Sequence, residues 1–243
     1  MGLMWLTGSR VQAQSFTYGV RAGLGLATMK DDLSTKSPLL GVNVGGYVSY
    51  HFTETESMLA ELFYLQTGLN LTRRGCDYRN VFEKSTDLSI QTGYYHAWYL
   101  QLPLLVGFRY ELPVRQAGHV LGVFAGPAVS YGLFGSYGER MVHPGSPDRN
   151  TNYDIAIDGT KADQRVFNHL NRFDLSAIVG ISYEREKFTF SFHIDYGFLA
   201  TSESDDILRI IEGSAEGNPV FAQIPNGHNT AYMFSVAYQL GKF

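Results

Sequence analysis

Seven histidines and a scatter of carboxylates are the side chains in this sequence best suited to chemistry. His193 and Asp195 stand two apart, a spacing that puts both on one face of a strand. His119, His143 and His169 fall in or near one long polar stretch. Zinc chemistry asks for ligands at helical or knuckle spacing, and neither HExxH nor CxxC occurs. A serine nucleophile asks for a strained strand-to-helix elbow, which is also missing. Ser176 and Ser191 read as inward-facing, not as rim residues able to meet a lipid substrate. Cys76, the single cysteine, cannot form an internal disulfide and reads as an incidental loop thiol. Gly23-x-Gly25 is no nucleotide loop, because no helix follows it. The expectation is a non-enzymatic protein with no catalytic residue, no metal and no cofactor.

What remains is a polar set on the minority face of alternating segments: Arg21, Asn43, His51, Glu61, Arg109, Asp174, His193 and Asp195. Charges of both signs that face a low-dielectric interior must pair, because an unpaired buried charge is costly. The set therefore reads as a structural network of salt bridges filling a lumen. A selectivity element or proton-linked gate is the functional alternative.

The elements that position this set follow from a two-residue period. Phe16 to Leu26 puts Tyr18, Val20 and Leu24 on one face and Gly19, Arg21 and Gly23 on the other. The same alternation marks Leu40 to Phe52, Tyr94 to Tyr110, His119 to Tyr131, Phe173 to Tyr183, Phe188 to Phe198 and Ala231 to Phe243. Met58 to Leu71 alternates less cleanly; Leu62 and Tyr64 are read as outward and Glu61 as inward. Pro103 predicts a bulge or a strand end. Eight such segments, most of ten or more residues, exceed the usual strand of about five or six and match the roughly nine to eleven residues that cross a bilayer at a tilt.

Composition agrees. The 243 residues include 26 Gly, 16 Tyr and 16 Phe, with only 17% charged. The net charge of −4 argues against nucleic-acid binding. No apolar run reaches the roughly 18 residues of a spanning helix. Connections alternate in length: Thr53 to Ser57, Leu112 to Gly118 and Glu184 to Lys187 are short. Ala27 to Leu39, Thr72 to Thr92, Gly132 to Arg172 and Leu199 to Thr230 are long. Such alternation is the habit of outer-membrane barrels, with short periplasmic turns and long outer loops. The predicted fold is an all-β, transmembrane, antiparallel up-and-down barrel of about eight strands. At that strand number side chains fill the lumen. Asp205 to Gly213 places Ile207, Leu208, Ile210 and Ile211 at helical spacing and predicts a short amphipathic helix or a clip in the mouth.

Residues 1–13 read as a signal peptide shortened at its front, with Val11-Gln12-Ala13 as the cleavage pattern, which leaves residues 14–243 as the barrel domain. The segment Tyr99-Leu100-Gln101-Leu102-Pro103-Leu104-Leu105, with Gly107 and Tyr110 after it, resembles the "YLxIPLLLKY"-type strand of the PorT-like outer-membrane β-barrel family of Bacteroidetes. Glu61-Leu62-Phe63-Tyr64 with Gly68 resembles that family's preceding strand, Tyr18 to Gly23 its opening strand, and Phe124-Ala125-Gly126-Pro127 with Tyr131 its "xAGPxxxY" strand. The resemblance implies a barrel resident in the bacterial outer membrane, bounded by outer-membrane lipid and inserted by the barrel assembly machinery. It implies Phe243 as a C-terminal assembly signal, although Phe243 departs from the parity of Tyr238 and Leu240 and so predicts a bulge or a frayed end. It brings no catalytic residues. The resulting expectation is an accessory or structural component of an envelope or protein-secretion complex. A small porin, or a surface adhesin or receptor acting through the long loops, is the alternative.

Overall fold

Alternating segments of this length cannot bury two faces each, so closing on one another is the economical solution. A computed structural model describes residues 15–30, 35–52, 62–84, 87–113, 118–142, 153–156, 171–200, 208–210, 221–223 and 227–242. In chain order the strands are β1 (Ser15–Lys30), β2 (Thr35–His51), β3 (Phe63–Lys84), β4 (Asp87–Glu111), β5 (His119–Val142), β6 (Tyr153–Ala156), β7 (Phe173–Arg185), β8 (Phe188–Ala200), β9 (Leu208–Ile210), β10 (Phe221–Gln223) and β11 (His228–Lys242). Eight of them, β1, β2, β3, β4, β5, β7, β8 and β11, pair antiparallel in that order, and β11 pairs with β1 to close the ring. Closure gives each of these eight strands two partners and removes the edges that hydrocarbon would leave unsatisfied. Strand β6 adds to the far end of β5, and β9 with β10 forms a separate two-stranded ladder.

The outer surface inverts the usual order of a soluble protein. Val20, Leu24, Val44, Leu104, Val123, Val179 and Ile181 are exposed, Ile181 to 60%. Exposed aromatic rings bound this aliphatic band at both ends. Tyr18, Phe63, Tyr110, Phe188 and Tyr238 lie toward the short turns; Tyr94, Phe134, Phe173, Phe198 and Tyr232 lie toward the long connections. An apolar belt between two aromatic girdles is a surface made for a bilayer.

Seven segments have the expected parity, and the third is corrected. Phe63, Leu65 and Leu69 face outward, so Tyr64, with Gln66, Asn70 and Thr72, faces the lumen. A one-residue slip moves every side chain to the other face, and two adjacent apolar pairs, Leu62-Phe63 and Tyr64-Leu65, concealed the phase. The expected long connection Thr72 to Thr92 is mostly strand: β3 and β4 continue as one ladder from Asn70↔Gln101 to Lys84↔Asp87. Cys76 is accordingly a fully buried strand residue rather than a loop thiol. Pro103 lies inside β4 with no strand end; the ladder skips beside it, and Thr67 Oγ1 donates to the Pro103 carbonyl at 2.8 Å. Within the predicted helix at Asp205 to Gly213, the described residues Leu208–Ile210 form β9. β-branched Ile210 and a partner strand prevail there over helical spacing. A register shift opposite Tyr18/Gly19 bulges β11 at Leu240 and turns Lys242 inward. Phe243, residues 1–13 and Glu61 lie outside the described residues.

Candidate functional site

The lumen is filled in layers, each assembled from inward residues of several strands. Nearest the long connections, Met29, Cys76, Tyr78, Tyr95, Ala97 and Tyr99 pack together, and the Tyr95 and Tyr99 hydroxyls are 2.8 Å apart.

Below them sits a polar layer centred on Arg74, which is only 2% exposed. Arg74 Nη1 donates to Asp174 Oδ2 at 2.9 Å, and Nη2 donates to Asp195 Oδ2 at 2.5 Å and to Ser130 Oγ at 3.3 Å. Gln101 Nε2 also donates to Asp195 Oδ2, at 2.7 Å, and Asn229 Nδ2 to Asp174 Oδ2 at 3.4 Å. The Tyr99 ring lies 5.6 Å from the guanidinium carbon. Arg74 on β3 thus reaches β5, β7 and β8, and β8 is diametrically opposite β3 in the eight-strand ring. Gly197 makes room for this layer, since a Cβ there would stand 2.8 Å from Asp174 Oδ2. The layer is incompletely satisfied: Arg74 Nε, Asp174 Oδ1 and Asp195 Oδ1 are buried without a protein partner.

The next layer is apolar, built from Tyr64, Leu105, Phe124, Ala128 and Ile178. Gly107 allows Tyr64 to lie flat across the lumen, because a Cβ at 107 would fall 2.0 Å from Tyr64 Cζ. The His193 ring sits 6.2 Å from that of Phe124, with Nδ1 unpaired.

At the short-turn end the lumen opens into a cavity of about 530 Å³. Arg109 Nη2 donates to Glu184 Oε2 at 2.6 Å, and Arg109 Nη1 meets His51 Nδ1 at 3.2 Å. Because a guanidinium only donates, His51 Nδ1 must accept, so its proton sits on Nε2 and is donated to Thr17 Oγ1 at 3.1 Å. This chain of bonds joins β1, β2, β4 and β7 across the mouth. Arg21 Nη2 donates to Gln66 Oε1 at 2.8 Å, and Gln66 Nε2 to Ser49 Oγ at 2.9 Å.

The expected polar residues therefore separate into two groups. Asp174 and Asp195 belong to the upper layer, with Asn43 and His193 buried elsewhere on the wall; Arg21, His51 and Arg109 line the lower cavity. Sequence reasoning missed Arg74, the hub, because it assigned residues 72–92 to a loop. The signal was present: Asn70, Thr72, Arg74, Cys76 and Tyr78 continue one parity, and two inward aspartates on adjacent strands required a cation. Glu184, expected in a turn, lies in β7 instead, and the turn is only Glu186-Lys187. Among the described residues no group of His, Cys, Asp and Glu is arranged to hold a metal.

Comparison with known proteins adds three findings. The family described as outer membrane protein beta-barrel domain matches residues 12–202. No curated protein matches the sequence. Solved structures similar to the chain include Ail, the attachment invasion locus protein of Yersinia pestis, in complex with the heparin analogue sucrose octasulfate. That likeness is 11% identical, covers 95% of this chain and 99% of that one, and has a TM-score of 0.36. Neisserial surface protein A is 10% identical over 93% of this chain and 97% of that one, with a TM-score of 0.33.

Proposed function

Because this chain belongs to the outer membrane protein beta-barrel domain family and resides in the bacterial outer membrane, we propose that it is a closed, non-enzymatic barrel that serves as an accessory or structural component of an envelope or protein-secretion complex. The observation that carries this reading is the Arg74 layer, whose bonds run across the full diameter of the lumen. A barrel tied shut in this way is better suited to holding something at the membrane than to passing solutes, which disfavours the porin alternative. PorT-like kinship rests on the motif order from Tyr18 to Tyr131 and is part of the proposal.

The place of contact is the end with long connections, taken as the outer side by the barrel rule. Strands β3, β4 and β5 run 22, 25 and 24 residues, about twice the length of β7 and β8 at 13 each. Only about nine to eleven residues are needed to cross. The excess forms a sheet standing beyond the aromatic girdle. On its outward face Arg73 Nη2 donates to His96 Nδ1 at 3.1 Å and His96 Nε2 donates to Asp77 Oδ1 at 3.2 Å. A sheet of this kind also favours the second reading, a surface receptor or adhesin.

Affinity purification from native outer membranes in mild detergent, followed by mass spectrometry, distinguishes the two. A specific envelope partner lost on trimming residues 78–92 supports the accessory role. Recovery of no envelope protein, with binding to an external ligand that is lost on the same trimming, supports the receptor instead. Absence of the protein from the outer-membrane fraction contradicts both.

A further inference from the structure

Two arginines line the short-turn cavity, and they are treated unequally. Arg109 is neutralised by Glu184 and tied to a neutral His51. Arg21 makes no ion pair among the described residues. Its Nη2 has only the amide oxygen of Gln66, its Nε is buried without a partner, and the Tyr47 ring lies 5.5 Å from its Cζ. Arg21 can only donate, so it fixes Gln66 with the amide oxygen toward it and leaves the amide nitrogen to donate to Ser49. A guanidinium in a low-dielectric wall with neutral neighbours is an electrostatic deficit that an anion would remove.

The cavity in front of it suits one kind of anion. Its charged lining comprises Arg21, Arg109 and Lys242 against Glu111 and Glu184. One positive charge is left over, which fits a monoanion, and the two carboxylates repel a dianion. Lys242 is present only because the bulge at Leu240 turns it inward. The volume of about 530 Å³ exceeds what an inorganic ion fills, and the aromatic side chains of Tyr47, Tyr64 and Phe124 line it. Most of the lining is polar, and these rings form one flat apolar patch in it. A patch of that kind near the one lining arginine without an ion pair among the described residues matches a carboxylate attached to a compact hydrocarbon body.

We propose that this cavity is a binding site for a small organic monocarboxylate, entered from the short-turn side, with the carboxylate on Arg21 and the body against Tyr47, Tyr64 and Phe124. The site is independent of the accessory role argued above, since it opens at the opposite end from the outer sheet.

The test is calorimetric titration of the folded full-length protein in detergent micelles with sodium benzoate, corrected against protein-free micelles. Benzyl alcohol and inorganic phosphate serve as comparison probes. Benzoate is expected to bind saturably at one site and to weaken about tenfold or more in Arg21→Gln, the loss of one charge-assisted contact. Arg73→Gln, on the outward face at the other end, should leave binding unchanged. In the wild-type protein, nuclear Overhauser contacts should connect the benzoate ring to Tyr47 and Tyr64, a readout that does not depend on the variant folding. No saturable heat, equal affinity for phosphate or benzyl alcohol, unchanged affinity in Arg21→Gln, or ring contacts elsewhere would each overturn the assignment.

Discussion

Replacing Arg74 by methionine removes the hub of the lumen while keeping most of its volume. Two short bonds to carboxylates disappear, at 2.9 and 2.5 Å, together with the longer one to Ser130. Hydrogen bonds to charged groups contribute about 1.5–3 kcal/mol each, and removing one partner of a buried ion pair costs about 3–5 kcal/mol because the other charge is stranded. Here two carboxylates are stranded, and each already has one oxygen without a partner. A loss of about 4 kcal/mol is expected, a large part of the roughly 5–15 kcal/mol that holds an ordinary domain together. Neutralising the carboxylates should reverse much of it: Arg74→Met combined with Asp174→Asn and Asp195→Asn should recover about 2 kcal/mol, since amides are cheaper to leave in the lumen than ions. Urea unfolding from phospholipid vesicles, followed by tryptophan fluorescence from Trp98, measures both. An Arg74→Met barrel within about 1 kcal/mol of wild type, or a neutralised variant less stable than Arg74→Met, would refute the reasoning that the layer is a tightly coupled ionic plug.

Gly107→Ala should destabilise the barrel by about 1–3 kcal/mol through overpacking against Tyr64, and the deficit should shrink in Gly107→Ala/Tyr64→Ala; equal deficits with and without the ring would contradict the packing account. Val179→Arg, in the middle of the aliphatic band, should cost about 2–4 kcal/mol in vesicles, whereas Tyr110→Arg at the girdle should cost about 0–1 kcal/mol. Equal costs at the two sites would show that the apolar belt does not sit at the height of Val179.

Much of the fold was legible because its physics is local. In β8, Phe188, Phe190, Phe192, Ile194, Tyr196 and Phe198 alternate with Thr189, Ser191, His193, Asp195 and Gly197 without interruption, and the exposure of this strand follows that pattern. In β3, Leu62-Phe63-Tyr64-Leu65 offers two registers of nearly equal hydrophobicity. What decides between them is non-local: Gly107 leaves room for the Tyr64 ring on one side of the wall only. The outer half of β3 and β4 was hidden for another reason. Once past the girdle a strand needs no lipid-facing apolar residues, so Arg73, Asp77 and Arg79 read as loop although they remain in the ladder. That lost stretch contained Arg74, and with it the partner for Asp174 and Asp195. The members of the plug were therefore visible as charges, but not their arrangement. The lower cavity was partly visible through Arg21, His51 and Arg109, while Lys242 entered it only through a bulge that parity alone located loosely.

The central claim, a membrane barrel closed by its own side chains, is tested most directly by recording current across a planar lipid bilayer after insertion of the purified, folded protein. With Arg74 bonded across the lumen and Tyr64, Leu105 and Phe124 packed beneath it, no stable conductance step is predicted. Reproducible, long-lived steps from the wild-type protein would contradict it, and would return the porin reading to first place.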